Sequence, residues 1–288
     1  MDGAMMTANQ IVALNGRFIP IEEASVPVLD RGFIFGDGIY EVVPSYGGRL
    51  FRWPQHLARL KRSLSKVRID NPHDDAGWLG LVQELIARHP WPDQFIYLQV
   101  TRGVARRDHA FPKGVAPTVF GMASELVPVP AQQREQGVTA VTLPDERWLH
   151  CDIKSTSLLG NVLARQAAVD AQALECLMFR DGFLTEGSAS NVWMVRHGTM
   201  FGPPRDNLIL EGIRVRLMDE LCQSSAVPLE IRPILREEVL QADELLISSA
   251  TKEILPVTVL DGRPVGSGRP GPVYQALYKA YQAAKRAV

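Results

Sequence analysis

Cysteine is scarce in this chain. There are three, Cys151, Cys176 and Cys222, an odd number with no C-x-x-C pair. That excludes a disulfide framework and a zinc ribbon, and it suits a reducing, cytoplasmic setting. The six histidines are scattered and form no H-E-x-x-H pair, so no metal site is expected. No run of ~18 apolar residues occurs, so no membrane-spanning helix is expected. Met1 to Gln10 shows no cationic stretch followed by an apolar one, so no secretory leader is expected there. Charge of either sign is not in excess: 31 Lys+Arg against 32 Asp+Glu leaves a net charge of -1. Without a broad basic field, nucleic acid and anionic membranes are poor partners, and a small molecule is the better expectation.

What is present is 46% hydrophobic residues over 288 positions, enough to bury one large core or two moderate ones. Gln10 to Ile19 reads as two short strands turned at Asn15-Gly16. Gly38 to Tyr46 and Arg49 to Phe51 read as a hairpin around Gly47-Gly48. Trp53 to Val67 reads as a helix, with Pro54 in its first turn and Leu57, Leu60, Leu64 and Val67 at helical spacing. Trp78 to His89 is a second amphipathic helix, and Phe95 to Thr101 and Thr118 to Ala123 are strand-like. Pro-rich Val127 to Gln133 reads as a linker between a small first domain, 1–126, and a larger second one, 134–288. In the second, Gly137 to Leu143, Glu175 to Arg180, Asn191 to Arg196 and Glu244 to Ser249 read as strands. Leu158 to Ala173, Ile213 to Cys222 and Pro272 to Ala287 read as helices. Strands and helices mix without regular βαβ units, so the expected class is α+β with mixed sheets, not a doubly wound nucleotide fold.

Gly266-Ser-Gly-Arg-Pro-Gly271 matches G-x-G-x-x-G literally. A dinucleotide site needs that turn at the start of a ~30-residue βαβ unit, and the chain ends at Val288 with Pro270 inside the motif. It reads as a loop after the Asp261-Gly262 turn.

The chemically dense text lies elsewhere. Lys154 ends a strand-like segment before a helix, and it can be read as a solvated surface charge or as a Schiff-base lysine on a rigid strand end. Leu184 to Asn191 offers a carboxylate, Glu186, among small residues that let backbone N–H groups approach an anion. The same text can be a tight turn with a solvated acid. Leu210-Glu-Gly-Ile-Arg214 opens a helix, and Ser248-Ser-Ala-Thr251 follows a strand; each can hold an anion or merely cap. Arg59 is one of several bases on the first helix.

Taken together, Asp30-Arg-Gly-Phe-Ile-Phe-Gly-Asp-Gly-Ile-Tyr-Glu-Val-Val43, Gln55-His-Leu-Ala-Arg-Leu60, Cys151-Asp-Ile-Lys-Ser155, Thr185-Glu-Gly-Ser188 and Ser190-Asn191 resemble the fold-type IV aminotransferases that use pyridoxal 5'-phosphate. The resemblance runs from about Ala13 to Ala284 and is strongest to the D-amino-acid branch. It implies an α/β (α+β) fold of two domains with the cofactor in the cleft between them, and a homodimer. It implies that Lys154 holds the cofactor as a Schiff base and shuttles the proton, and that Glu186 faces the pyridine nitrogen. Arg59, Ile213, Arg214, Ser249, Ala250 and Thr251 would bind the phosphate, and Leu210 would pack on the ring. Tyr40 and Glu41 would lie near the cofactor, with Arg147 close by. Gly-Ile-Arg214-Val215 stands where several relatives read Gly-Ile-Thr-Arg, and Ala250 where threonine is common. Phosphate binding is therefore expected to lean on Arg59, Ser249, Thr251 and backbone.

The substrate branch rests on Thr101 to Pro112, which resembles the loop that traps a substrate α-carboxylate. Arg107 and His109, with Tyr40, would form the trap for amino acids and 2-oxo acids, an arginine fork being suited to a carboxylate. A branched-chain L-amino-acid aminotransferase, an aminodeoxychorismate lyase and an (R)-selective amine transaminase share much of this text and remain open.

Overall fold

The computed structural model describes residues 10–287, with the side chain of Arg214 outside the described residues. The chain divides into two compact units. The first comprises residues up to Val127 together with Ile153–Ser157, and the second comprises Pro128–Asp152 and Leu158 onward.

The first unit runs β1 (Ile11–Leu14), β2 (Arg17–Pro20), α1 (Arg31–Phe35), β3 (Gly38–Tyr46), β4 (Arg49–Leu50), α2 (Trp53–Lys66), α3 (Asp75–Ala87), β5 (Gln94–Thr101) and β6 (Thr118–Glu125). Its six strands form one antiparallel sheet in the order β2-β1-β6-β5-β3-β4. Strand β5 alternates as far as Val100: Ile96, Leu98 and Val100 are buried, while Tyr97 and Gln99 are only partly covered. The buried face packs on α2 and α3 through Leu57, Leu60, Leu64, Trp78, Val82 and Leu85. This is how a sheet with one apolar face and two helices with apolar stripes close a core. The stripe of α2 also carries His56, Arg59 and Ser63 inward, because they share helical spacing with its leucines.

The short helix α1 carries no periodicity long enough to read from sequence. It is made by its ends. Asp30 accepts the Gly32 N–H at 2.8 Å as N-cap, and Gly36 closes it at φ +64°, the left-handed conformation that favours glycine.

The second unit contains α4 (Ala131–Glu135), β7 (Val138–Pro144), α5 (Leu159–Asp170), β8 (Glu175–Arg180), β9 (Phe183–Gly187), β10 (Asn191–Arg196), β11 (Thr199–Gly202), α6 (Ile213–Ser224), β12 (Leu229–Ile231), α7 (Arg236–Val239), β13 (Glu244–Ser249), β14 (Glu253–Leu260), β15 (Arg263–Pro264) and α8 (Pro272–Arg286). Its mixed sheet runs β12-β11-β10-β13-β14-β7-β8-β9, with β15 on β14. The pairs β11·β12, β14·β7 and β7·β8 are parallel. Leu177, Val192, Met194, Leu245, Ile247, Leu255 and Val257 are nearly inaccessible in its core.

Three expectations need correction. Residues 131–133, read as linker, begin the short helix α4, where Pro130 presets the entry and Ala-Gln-Gln-Arg-Glu are good helix formers. Of the two readings left open for Leu184 to Asn191, the turn with a solvated acid does not hold at Thr185–Gly187, which lies on β9 with Glu186 buried, and the bend begins at Ser188. The lysine segment, assigned above to the second domain, clusters with the first unit. It does so because Tyr40 N donates to Lys154 O at 2.9 Å, Thr156 N donates to Gly38 O at 3.0 Å, and Ser155 bridges Ile39. Gly266 to Gly271 follows the β14–β15 hairpin and leads into α8, whose first free N–H groups, on Val273 and Tyr274, donate to the Glu244 carboxylate. Among the described residues no helix is long and apolar enough to cross a membrane.

Candidate active site

The residues expected to act fall into two groups, one in each unit. In the first unit, β3 divides its side chains by the two-residue period of a strand. Glu41 points to the α2 side and is buried. Its carboxylate accepts Arg59 Nε at 2.9 Å, Arg59 Nη2 at 2.5 Å and His56 Nδ1 at 2.9 Å. Burial pushes the Glu41 carboxyl up, but the Arg59 charge and these hydrogen bonds outweigh it and hold Glu41 well below the usual carboxylate range. Arg59 is thus fixed on a buried carboxylate by a two-point contact.

Tyr40, next along the strand, points to the opposite face. It stacks on Tyr97 at 5.6 Å, and the Lys154 amine lies 4.0 Å from its ring centroid. The Tyr97 hydroxyl is pushed up to about 12 by burial and the neighbouring Tyr40, and it donates to Gln99 at 2.7 Å. Lys154 makes no ion pair among the described residues. Its backbone is pinned on both sides while its amine is left to an aromatic face. That arrangement fits a lysine whose nitrogen must bond to a carbonyl carbon.

Arg107 and His109 are exposed on the loop after β5, and both approach the Phe35 ring, at 5.3 and 5.4 Å. The described contacts of Tyr40 are with Tyr97 and Lys154, not with this pair.

In the second unit, Glu186 sits on β9 with 6% exposure. One carboxylate oxygen accepts Arg147 Nη1 at 2.5 Å. The other accepts Leu210 N at 3.1 Å and Asn191 Nδ2 at 3.4 Å. Arg147 also spans both oxygens of Asp145 at 2.9 Å, and Thr185 donates to Asp145 at 2.8 Å. The two acids diverge. Burial pushes Glu186 up to about 7, with Arg147 and the Leu210 N–H pulling partly back. Asp145 is also raised by burial, but Arg147 and Thr185 bring it down to about 2. Asp145 is thus the settled partner of Arg147, and Glu186 is the acid that changes charge near neutrality. Arg147 only partly offsets the burial of Glu186, and a protonated pyridine nitrogen would add a second cation favouring its charged form, so these residues fit the cofactor.

Leu210 serves through its backbone: its N–H holds Glu186, and its carbonyl accepts Asn191 Nδ2 at 2.9 Å. A Cβ at Gly212, the N-cap of α6, would meet Asn191 Oδ1, so any larger residue there would have to displace the Asn191 amide. Ile213 opens α6, leaving early helical N–H groups for an anion. Ser249 Oγ accepts Lys252 N at 3.1 Å and closes the turn that contains half-buried Ala250 and Thr251. Lys252 Nζ lies 3.6 Å from the buried Glu175, which also accepts Ser188 N at 3.0 Å and Ser190 Oγ at 2.9 Å. Sequence reasoning gave no role to Asp145, Asn191, Glu175 or Arg31, although Asn191 and Arg31 lie in the text that carries the resemblance and the Asp145-x-Arg147 spacing could have signalled Asp145.

The chain matches the amino-transferase class IV family over residues 38–260. It is 40% identical over 271 residues to the D-alanine aminotransferase of Bacillus licheniformis, covering 94% of this chain and 95% of that one. To the D-alanine aminotransferase of Staphylococcus haemolyticus it is 38% identical over 270 residues, covering 94% and 96%. Among solved structures, a branched-chain amino acid aminotransferase from Escherichia coli superposes with a TM-score of 0.90 at 24% identity, covering 96% of this chain and 94% of that one. A branched-chain aminotransferase from Thermoproteus uzoniensis gives 0.85 at 26%, covering 96% and 94%. The chain belongs to the class IV aminotransferases. It is an enzyme of fold type IV that depends on pyridoxal phosphate.

Proposed function

We propose that this enzyme transfers the amino group of a D-amino acid, such as D-alanine, to a 2-oxo acid, such as 2-oxoglutarate. The observation that carries this reading is the exposed pair Arg107 and His109, gathered on Phe35 in the same unit as Lys154. A guanidinium and an imidazole side by side form a donor set for a carboxylate. Curated relatives at 36–40% identity over 94% of the chain are D-alanine aminotransferases, which supports the D branch.

The roles follow from the chemistry of each group. When bound, pyridoxal phosphate supplies an electron sink for the charge left at Cα. Lys154 holds the cofactor and, once displaced, takes the Cα proton and returns it. Tyr40 backs the lysine. Glu186 keeps the ring nitrogen protonated. The phosphate is held by Arg59, the start of α6 at Ile213 and Arg214, and the Ser249-Ala250-Thr251 turn, while Leu210 covers the ring. Arg107 and His109, with Tyr40, fix the substrate carboxylate, which decides the face of Cα that meets Lys154.

The test is the visible absorption band of the cofactor-loaded enzyme. D-alanine is expected to bleach it and L-leucine to leave it. Bleaching by L-leucine alone would move the enzyme to the branched-chain class and refute the D reading.

The same reading makes the chain a cytoplasmic homodimer with no nucleic-acid or membrane partner. Leu159, Val162 and Leu163 support it: they form an apolar stripe on α5 at 58–71% exposure. Isolated helices of soluble monomers rarely leave such a face to water. Sedimentation equilibrium at micromolar concentration is expected to give about twice the 31.9 kDa chain mass. A single-chain mass would refute the dimer.

A further inference from the structure

We infer that Arg31 is the positioning residue of the carboxylate-binding loop, an inference that rests on the assignment of Arg107 and His109 above. The loop has no ladder of its own around these residues, so side chains must set its path. The Arg31 side chain is 4% exposed and spends its guanidinium on that path. Nη1 donates to Asp108 O at 2.5 Å and to Ala110 O at 3.4 Å, and Nη2 donates to His109 O at 3.4 Å. Three consecutive carbonyls thus converge on one buried cation. The Arg31 guanidinium also lies 4.8 Å from the centroid of Phe35, the ring that Arg107 and His109 approach.

Arg31 is itself oriented. Nε donates to Asp37 Oδ2 at 2.7 Å. Asp37 is gripped in turn by Arg102, with Nε at 2.8 Å and Nη2 at 2.9 Å. The remaining donors of Arg102 reach Val67 O at 2.7 Å and Arg68 O at 2.8 Å, at the end of α2. Arg102 also lies 3.6 Å from the Phe111 ring centroid, which pins the far side of the loop. The Arg102–Asp37–Arg31 chain therefore ties residues 108–111 to the helix that carries Arg59. Its effect is selective: the backbone is held by buried groups, while the Arg107 and His109 side chains stay exposed.

A loop free to sample other paths binds more weakly in proportion to its competent fraction. If that fraction falls to about one tenth, the apparent affinity for a carboxylate substrate falls about tenfold. Lysine substitutes only in part, since one ammonium lacks the planar fork that reaches Asp37 and three carbonyls together.

The experiment compares R31Q and R31K with wild type, all cofactor-loaded. R31Q is expected to raise KM for D-alanine about tenfold while kcat changes less than about threefold, and R31K is expected to fall between. Hydrogen exchange supplies a readout apart from turnover: amides of a peptide spanning 106–112 should exchange about tenfold faster, with β3 and β5 unchanged. Unchanged exchange in that peptide, or loss of kcat at constant KM, overturns the inference. R107A separates the two levels. If it leaves KM for D-alanine unaltered, the carboxylate assignment itself fails. If it raises KM and R31Q does not, only the role of Arg31 falls. Should R31Q not fold, D37N removes the carboxylate that orients Arg31 and must shift KM and exchange in the same direction.

Discussion

Lys154→Ala is expected to abolish turnover, with D-alanine transamination falling by at least about 10⁴-fold, since alanine supplies neither a covalent attachment nor a proton-transfer base. The loss should not come from unfolding. What joins residues 153–157 to the first unit is backbone pairing (Tyr40 N to Lys154 O, Thr156 N to Gly38 O, the Ile39–Ser155 bridge) together with the Ser63, Thr156 and Ser157 hydroxyls, and none of it uses the Lys154 side chain. Alanine retains all of these. The side-chain contact removed is one with the face of Tyr40, worth about 0.5–1 kcal/mol at a partly exposed site. The melting temperature should therefore move by only a few degrees, while the visible band of the loaded enzyme disappears. A small primary amine added to the variant should restore part of the proton transfer. Turnover within tenfold of wild type would take Lys154 out of its role, whatever happened to the band.

The role expected of Lys154 came from the resemblance, since its local text reads equally as a surface charge, and the strand end expected there is absent: β7 stops at Pro144 and Lys154 lies in an irregular segment beside the single Ile39–Ser155 bridge. Glu186 and Arg59 likewise drew their expected roles from the resemblance and not from their local text. The supporting residues were not legible, because their partners are brought close by register alone. Arg31 reaches carbonyls 77 to 79 positions away, and Asn191 bonds Leu210 across 19. Long, regular elements such as β3, α2, β13 and α8 were read to within a few residues of their ends. Strand β14 escaped because Pro256 sits inside a continuous apolar run, and proline argues against an inner strand. Helix α1 escaped because five residues hold barely more than one turn. The resemblance grouped Tyr40 with Arg107 and His109; the described contacts of Tyr40 are with Lys154 and Tyr97, and those of the loop pair are with Phe35.

Glu186→Gln should slow Cα proton loss by about 10²–10³-fold, the usual cost of removing one preorganised charge aimed at a reacting group. The substitution keeps shape but not every partner: all the groups on Glu186 are donors, so with the amide oxygen on Leu210 the NH2 faces Arg147 Nη1. The amide oxygen can still accept the Leu210 N–H, and Arg147 keeps both oxygens of Asp145, so no buried guanidinium is stranded. The cofactor should still bind, and a single-turnover rate equal to wild type would remove Glu186 from the ring nitrogen. A second consequence appears in the cofactor-free protein. Burial raises Glu186 to about 7 from an ordinary 4.5, so between those values the folded chain holds a proton that the unfolded chain has released. Stability from this group is therefore full below about 4.5 and is lost as pH rises through about 7, by on the order of 3 kcal/mol. Asp145 runs the other way, with its stability present above about 4 and lost as pH falls toward about 2, outside this window. Urea unfolding of the cofactor-free protein at pH 5 and pH 7.5 should show wild type losing stability relative to E186Q across the interval. A constant difference would mean that Arg147 neutralises Glu186 fully without the cofactor. The need for a cationic ring beside this carboxylate would then have no physical basis.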